Sequence, residues 1–172
     1  MFALVSVLVE IALLRKGPQH LPTSALLLVI TAAVYCALTI AFVRLIPEAE
    51  PPVALRTALE LALGLGWLWV LLALFGRKER FLQTATAIYG TSALLTPLVL
   101  GPLAIAAQVD KGHPIIVPLI FSMFAVFVWY VFITANILRA ALEVRMFAAV
   151  ALTLLYMGCE YLISLGLLTV IK

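Results

Sequence analysis

The sequence predicts an all-α membrane protein, a bundle of five transmembrane helices preceded by an N-terminal interfacial amphipathic helix. Of the 172 residues, 66% are hydrophobic and only 11% are charged. A soluble domain is about half apolar and about a quarter charged, so too few polar residues remain here to coat a soluble globule. This composition excludes a disordered chain, a nucleic-acid-binding module and a secreted disulfide scaffold.

Five stretches reach the roughly 20 mostly apolar residues that a spanning helix needs. They cover about residues 24–46, 54–75, 82–108, 115–138 and 146–171. The loops between them are PEAEPP at 47–52, GRKER at 76–80, VDKGHP at 109–114 and the segment 139–145. Loops this short make neighbouring helices antiparallel and adjacent. Residues 1–172 are therefore expected to form a single membrane domain.

Residues 1–16 differ from the five spans. Their apolar run is too short to cross a bilayer, and Ser6 and Glu10 lie four residues apart on one helical face. Arg15 and Lys16 follow the run, whereas a cleavable signal peptide carries its positive charge before it. We expect a retained helix that lies in the interface with its basic end at the headgroups. The alternative is a surface that docks onto another membrane protein.

The lysines and arginines are divided unequally between the two sides of the predicted bundle. Seven lie on one side and four on the other, so the positive-inside rule places the N-terminus in the cytoplasm and the C-terminus outside. The seven are Arg15, Lys16, Arg77, Lys78, Arg80, Arg139 and Arg145, and the four are Arg44, Arg56, Lys111 and Lys172.

Small residues recur at intervals of four on the first two spans. They are Ala33, Ala37 and Ala41 on the first span, and Ala58, Ala62 and Gly66 on the second. Helices in a bilayer approach one another closely through such small residues. These stripes predict packing surfaces, either for each other or for a partner, which would be another membrane protein or a second copy of the chain.

The third span carries two prolines. Pro97 cannot donate to the helix and clashes with the carbonyl of Ala93, and Pro102 repeats the problem. A broken or kinked helix survives in a bilayer where protein or water satisfies the freed carbonyls, so we expect this helix to be buried in the bundle. The hydroxyls of Thr91, Ser92 and Thr96 could do this. The kink is either structural or lines a substrate or lipid groove.

Glu160 lies near the middle of the fifth span, where an ionisable side chain is costly and marks a functional hypothesis. It could hydrogen-bond in its protonated form, pair with a basic group of a partner, or relay protons or bind a cation. The candidate buried polar network, or ligand groove, consists of Glu160, Tyr89, Ser92, Thr96, Pro97 and Asn136. Five aromatic residues are interpreted as packing or interface anchors: Trp67, Trp69, Trp129, Tyr130 and Tyr156.

No catalytic motif is evident. The sequence contains no HExxH, no CxxC, no phosphate-binding glycine loop and no paired intramembrane carboxylates, and His20 and His113 lie in loops. We therefore expect no enzyme activity, no catalytic residue, no metal and no cofactor. The expected partners are membrane lipids and another membrane protein or a second copy of the chain, and not nucleic acid.

Three segments of the third span resemble the central span of the Yip-type family. They are FLQT at 81–84, IYGTS at 88–92 and TPL at 96–98. Members of this family are five-span membrane proteins with a cytoplasmic N-terminus, and their third span often carries a Gly/Tyr-Ser…Pro pattern. The resemblance implies a small bacterial relative in the inner membrane with a role in membrane organisation or assembly.

Two functions are compatible with these features. The first is a non-catalytic scaffold or accessory subunit that binds another membrane protein. The alternative is a small-molecule, lipid or proton-coupled transporter that uses the third span and Glu160.

Overall fold

The computed structural model describes residues 2–46, 53–110 and 112–170, without the side chains of residues 2–3, 160 and 163–170. Within these residues the chain is all α, with no strand. The helices are α1 (Phe2–Ala12), α2 (Ala25–Val43), α3 (Val53–Leu74), α4 (Phe81–Ala106), α5 (Ile116–Leu142) and α6 (Met146–Val170). Single 3-10 turns at Pro18–His20 and Lys78–Arg80 precede α2 and α4.

Four of these helices, α2 to α5, are long and apolar enough to cross a membrane, which indicates an integral membrane protein. The spans predicted at 24–46, 54–75 and 82–108 fit α2, α3 and α4 to within one turn at each end. The predicted loop at 47–52 and the lysines Lys111 and Lys172 lie outside the described residues.

The fourth predicted span, 115–138, ends too early, because α5 continues to Leu142. The guanidinium of Arg80 donates to the carbonyls of Ala140 and Ala141, both at 3.1 Å. These bonds satisfy carbonyls that a helix otherwise leaves open in its last turn. Glu143 then adopts the left-handed conformation, with φ 58° and ψ 37°, and ends the helix.

The polar third span, α4, lies at the centre of the bundle. It makes its most extensive contacts with α2 and α5, and it also contacts α1 and α3. Most of its residues between Thr84 and Thr96 are buried, which confirms the expectation that this helix is shielded inside the bundle. The ring around α4 is completed by α6, which packs on α5 and α3.

The two prolines do not break α4, which runs as one α-helix through Pro97 and the proline one turn later. The Thr96 hydroxyl donates to the carbonyl of Ser92 at 2.9 Å, and Thr91 donates to carbonyls one turn back. These are bonds to the preceding turn. The expectation that the hydroxyls capture the carbonyl freed by Pro97 is therefore wrong for Thr91 and Thr96.

The short helix α1 packs beside the first half of α4. Leu8 contacts α4 at Gly90, where an added Cβ would lie 2.6 Å from a Leu8 methyl group. Further along, the amide of Gln83 donates to the carbonyl of Leu21 at 2.7 Å. With 11 residues, α1 is about 16 Å long, about half the thickness of a bilayer's hydrocarbon core.

One face of α1 is buried against the chain's own helices. Ile11 is fully buried among residues of α4 and α5, and the indole of Trp129 donates to the carbonyl of Ala12 at 2.9 Å. The sequence predicts that α1 lies either in the lipid interface or on a separate protein. Neither of these placements includes the packing of α1 on the chain's own helices. Val5 and Val9 remain exposed on the opposite face.

An ion-pair cluster joins the α3–α4 and α5–α6 connections at one end of the bundle, called the basic end below. The carboxylate of Glu143 pairs with Arg77 and with Arg80, whose guanidinium lies 2.6 Å from it. The hydrogen bond from Arg80, together with the positive charges of both arginines, holds the pKa of Glu143 below its ordinary value. The two ion pairs of Glu143 therefore join segments that are more than 60 residues apart in sequence.

The Glu143 cluster predicts a pH-dependent stability. Because the pKa of Glu143 is lower in the folded than in the unfolded chain, its contribution is present above the ordinary value of 4.5 and is lost as the pH falls through the folded-state pKa. Glu143→Gln should lower the thermal unfolding midpoint in detergent at pH 7 and flatten its decline towards pH 4. Glu79→Gln, in the adjacent 3-10 turn, is the control. A wild-type pH profile in Glu143→Gln would contradict this.

The burial of α1 predicts that Ile11→Ala destabilises the folded protein by about 2 kcal/mol. This is the low end for truncating a buried isoleucine, since lipid solvates the unfolded segment better than water does. Titration with a denaturing detergent measures the free energy of unfolding. Val9→Ala, on the exposed face of the same helix, should change it by less than about 0.5 kcal/mol. Equal effects of the two variants would show that α1 does not pack as described.

Candidate functional site

A small cavity lies where α3, α4, α5 and α6 meet. Its polar and small lining residues are Gly64, Trp67, Tyr89, Thr134 and Tyr156, and aliphatic side chains complete the wall. The volume is about 20 Å³. Each of Trp67, Tyr89, Thr134 and Tyr156 stands seven to ten residues from its helix end at the basic end, about 10 to 15 Å into the bundle. The cavity therefore lies near the middle of the spans.

Gly64 allows two tyrosines to approach α3. A Cβ atom on Gly64 would lie 2.5 Å from the hydroxyl oxygen of Tyr89 and 2.7 Å from that of Tyr156. The Tyr89 hydroxyl donates to the carbonyl of Leu61 at 3.2 Å, one turn earlier in α3. A glycine in a helix interior is unfavourable by roughly 1 kcal/mol relative to alanine. At this position the missing side chain leaves the space that the two tyrosine hydroxyls occupy.

Aromatic contacts hold the rings that surround the cavity. Tyr89 packs on Tyr35 of α2 with ring centroids 5.7 Å apart and an interplanar angle of 49°. Trp67 stacks on Tyr156 with centroids 6.2 Å apart and an angle of 19°. Both separations fall in the range of favourable aromatic pairs. Through these contacts the cavity wall links side chains from α2, α3, α4 and α6.

Two polar atoms at the cavity have no hydrogen-bond partner within the described part of the chain. They are the indole nitrogen Nε1 of Trp67 and the hydroxyl oxygen Oγ1 of Thr134, and both atoms are buried. Thr134 as a whole is 2% exposed. A buried polar group left unsatisfied costs about 1–3 kcal/mol.

The structure separates the members of the predicted polar network. Tyr89 forms part of the cavity wall, whereas Ser92, Thr96, Pro97 and Asn136 do not line this cavity. The hydroxyl of Ser92 instead donates to the hydroxyl of Tyr130 at 3.4 Å. Glu160 lies in α6 one turn after Tyr156, and its side chain is outside the described residues.

Sequence reasoning missed most of the cavity. The sequence indicates packing or interface anchors at Trp67 and Tyr156, and its pattern does not single out Gly64 or Thr134. The spacing of Gly64 and Trp67, three residues apart on one helical face, was an available signal for the close approach of a bulky side chain. Thr134 had no such signal, because threonine is common in apolar helices.

The small-residue stripes face outward. All six residues are exposed on the surface of the described bundle: Ala33, Ala37, Ala41, Ala58, Ala62 and Gly66. The helices α2 and α3 belong to a shared core through other residues, among them Leu28 and Leu68. The expectation that the stripes pack α2 on α3 is therefore wrong, and their packing on a partner stays a prediction.

No protein-family model, curated protein or solved structure matches this chain. Within the described residues, no cluster of three or more His, Cys, Asp and Glu side chains is placed to hold a metal ion. The function is therefore inferred from the chain's own surfaces and its cavity.

Proposed function

We propose that this chain is a non-catalytic scaffold or accessory subunit in the membrane that binds a helix of another membrane protein. Its role would be in membrane organisation or assembly. The observation that carries the proposal is the outward-facing stripe of Ala58, Ala62 and Gly66 on α3.

The stripe has the shape of a helix-docking groove. No atom of the described chain lies within 4 Å of a Cβ built on Gly66, so the space beside it is open. Leu55 and Trp69, which are half exposed, stand at its two ends. Since lipid tails are as apolar as leucine, helices associate in a bilayer through close backbone approach, which small side chains permit. The groove therefore suits an apolar transmembrane helix.

The membrane topology is part of the same proposal. The apolar 25-residue helix α6 packs on α5 and is proposed as the fifth span. The basic end is proposed to be cytoplasmic by the positive-inside rule, with the C-terminus outside. Five spans and a cytoplasmic N-terminus agree with the resemblance to the Yip-type family and with a bacterial inner membrane. The exposed face of α1, with Val5 and Val9, is proposed to contact lipid.

Native mass spectrometry of the gently extracted protein tests the partner. We expect a second, defined polypeptide to be retained with the wild type. Ala62→Leu should reduce its retention at least about tenfold, equivalent to about 1.4 kcal/mol, because the larger side chain fills the groove. Ala125→Leu, an equal enlargement at an exposed position of α5, should leave retention unchanged.

A monomeric protein whose crosslinks reach no partner would contradict this proposal. Retention of a second copy of the chain, lost in Ala62→Leu, would replace the heterologous partner with a homo-oligomer.

The cavity supports a second candidate function, a transporter of small molecules, lipids or protons. The unpartnered polar atoms of Trp67 and Thr134 lie near the middle of the spans, beside Tyr156, which precedes Glu160 by one turn of α6. Buried polar groups at this depth favour a polar pathway. In proteoliposomes with an imposed pH gradient, Glu160→Gln should then abolish a pH-dependent flux, whereas Glu79→Gln at the basic end should not. A wild-type flux in Glu160→Gln would remove this candidate.

A further inference from the structure

We propose that Arg56, Glu60 and Glu160 form a charge-balanced triad between α3 and α6, in which the two carboxyl groups hold one proton between them. The transport candidate above also uses Glu160, but the triad holds its proton whether or not the protein transports anything. The number of bound protons and the flux are separate measurements, so either one can fail alone.

Charged residues are rare in the spans, and most of them fall at one depth. Between their ends, α2 to α6 hold four: Arg56 and Glu60 in α3, Arg139 in α5 and Glu160 in α6. Glu60 stands fourteen residues before the end of α3, and Glu160 stands fourteen residues after the start of α6. Both residues are therefore about 21 Å from the basic end.

The register of α3 and α6 brings the two glutamates opposite each other. The Glu143 ion pairs hold the end of α3 and the start of α6 at the basic end, so the two helices are antiparallel. They meet at Gly64, where an added Cβ would lie 2.7 Å from the hydroxyl oxygen of Tyr156. One turn further from the basic end, the two helices carry Glu60 and Glu160.

The two glutamates also belong to the faces through which α3 and α6 meet. Glu60 precedes Trp67 by two turns of α3, and Glu160 follows Tyr156 by one turn of α6 and Thr153 by two. Residues at these spacings share a helix face. Trp67 stacks on Tyr156, and Thr153 is fully buried. The sequence does not reveal this pair of carboxyl groups, because its members lie on different spans.

Arg56 supplies one positive charge for two carboxyl groups. Its Nε donates to Oε1 of Glu60 at 2.8 Å, one turn along α3. A guanidinium keeps its charge and has five N–H donors in a planar fork, so donors remain for a second carboxyl group. Two carboxylates at one depth repel each other, and the bilayer disfavours the net negative charge that a single arginine leaves. One shared proton makes the triad neutral.

The other cations near the spans lie at different depths. Arg139 stands three residues before the end of α5, at the basic end, and Arg44 follows the last turn of α2, where it is exposed. Tyr130, the remaining titratable residue of α5, shares a hydrogen bond with Ser92. Among the described residues, Arg56 is therefore the cation that balances the two glutamates.

Infrared spectroscopy in nanodiscs tests the proton count, because a protonated carboxyl group has its own C=O stretching band. Labelling glutamate with ¹³C assigns the band to this residue type. At pH 7 we expect one protonated glutamate in the wild type. Glu60→Gln and Glu160→Gln should each abolish the band, since the remaining carboxylate pairs with Arg56. Glu79→Gln, at the basic end, is the control and should leave the band unchanged.

Removal of the positive charge should have the opposite effect. In Arg56→Gln each glutamate keeps a proton of its own, so the intensity of the band should double. Arg56→Lys retains the charge and should retain the single proton.

A crosslink tests the register without any of the three charges. In a chain whose two native cysteines are replaced by alanine, the combination of Arg56→Gln, Glu60→Cys and Glu160→Cys should form a disulfide on mild oxidation. The control carries Glu160→Gln and Leu162→Cys instead. Leu162 is 67% exposed on another face of α6, so the control should form none.

Four results would overturn the proposal. They are the absence of a protonated glutamate in the wild type, a band that survives either glutamate substitution, an unchanged band in Arg56→Gln, and a disulfide that forms no better at position 160 than at position 162. If the single variants do not fold, the crosslink decides, because it is made in a chain from which the charges of the triad have been removed.

Discussion

The polar groups of α4 depend on the protein itself for their hydrogen bonds, because lipid offers them none. This constraint places α4 at the centre, in contact with α1, α2, α3 and α5. Thr84, Thr91 and Thr96 bond back to carbonyls one turn earlier, and Tyr89 reaches across to the carbonyl of Leu61. The buried Thr86 hydroxyl has no partner among the described residues. The half-length helix α1 belongs to the same enclosure, since Leu8 covers α4 where Gly90 leaves its backbone bare.

A central α4 leaves the outer helices with one buried and one exposed face, and the exposed faces differ in character. The first half of α5 presents bulky phenylalanines, with Phe121 70% and Phe124 64% exposed. Such side chains fill the irregular space between lipid tails. The exposed face of α3 presents Ala58, Ala62 and Gly66 instead, which brings its backbone near the surface. The two faces therefore differ in how closely a neighbouring molecule can approach the helix backbone.

Local patterns allowed the bounds of α2, α3 and α4 to be predicted, because charged, glycine and proline residues interrupt long apolar runs. Prediction failed where distant residues decide the outcome. The extension of α5 depends on Arg80, some 60 residues away in sequence, and the placement of α1 depends partly on Trp129, 117 residues from Ala12. At the site, Tyr89 was predictable as a polar residue in an apolar span. The role of Gly64 was not predictable, because it depends on the side chains of other helices that approach it.

The ion pairs, aromatic contacts and hydrogen bonds between helices are unevenly distributed along the bundle. Their distribution bears on where a partner helix would bind. The basic end is joined by the Glu143 ion pairs, and the middle by the aromatic contacts around Gly64. At the opposite end, among the described residues, Gln108 reaches the carbonyl of Leu45 at 3.5 Å, beyond the usual hydrogen-bond range. The stripe on α3 runs from that end towards the middle of the bundle. A helix docked there would add contacts at the end of the bundle where the described residues form few hydrogen bonds between helices.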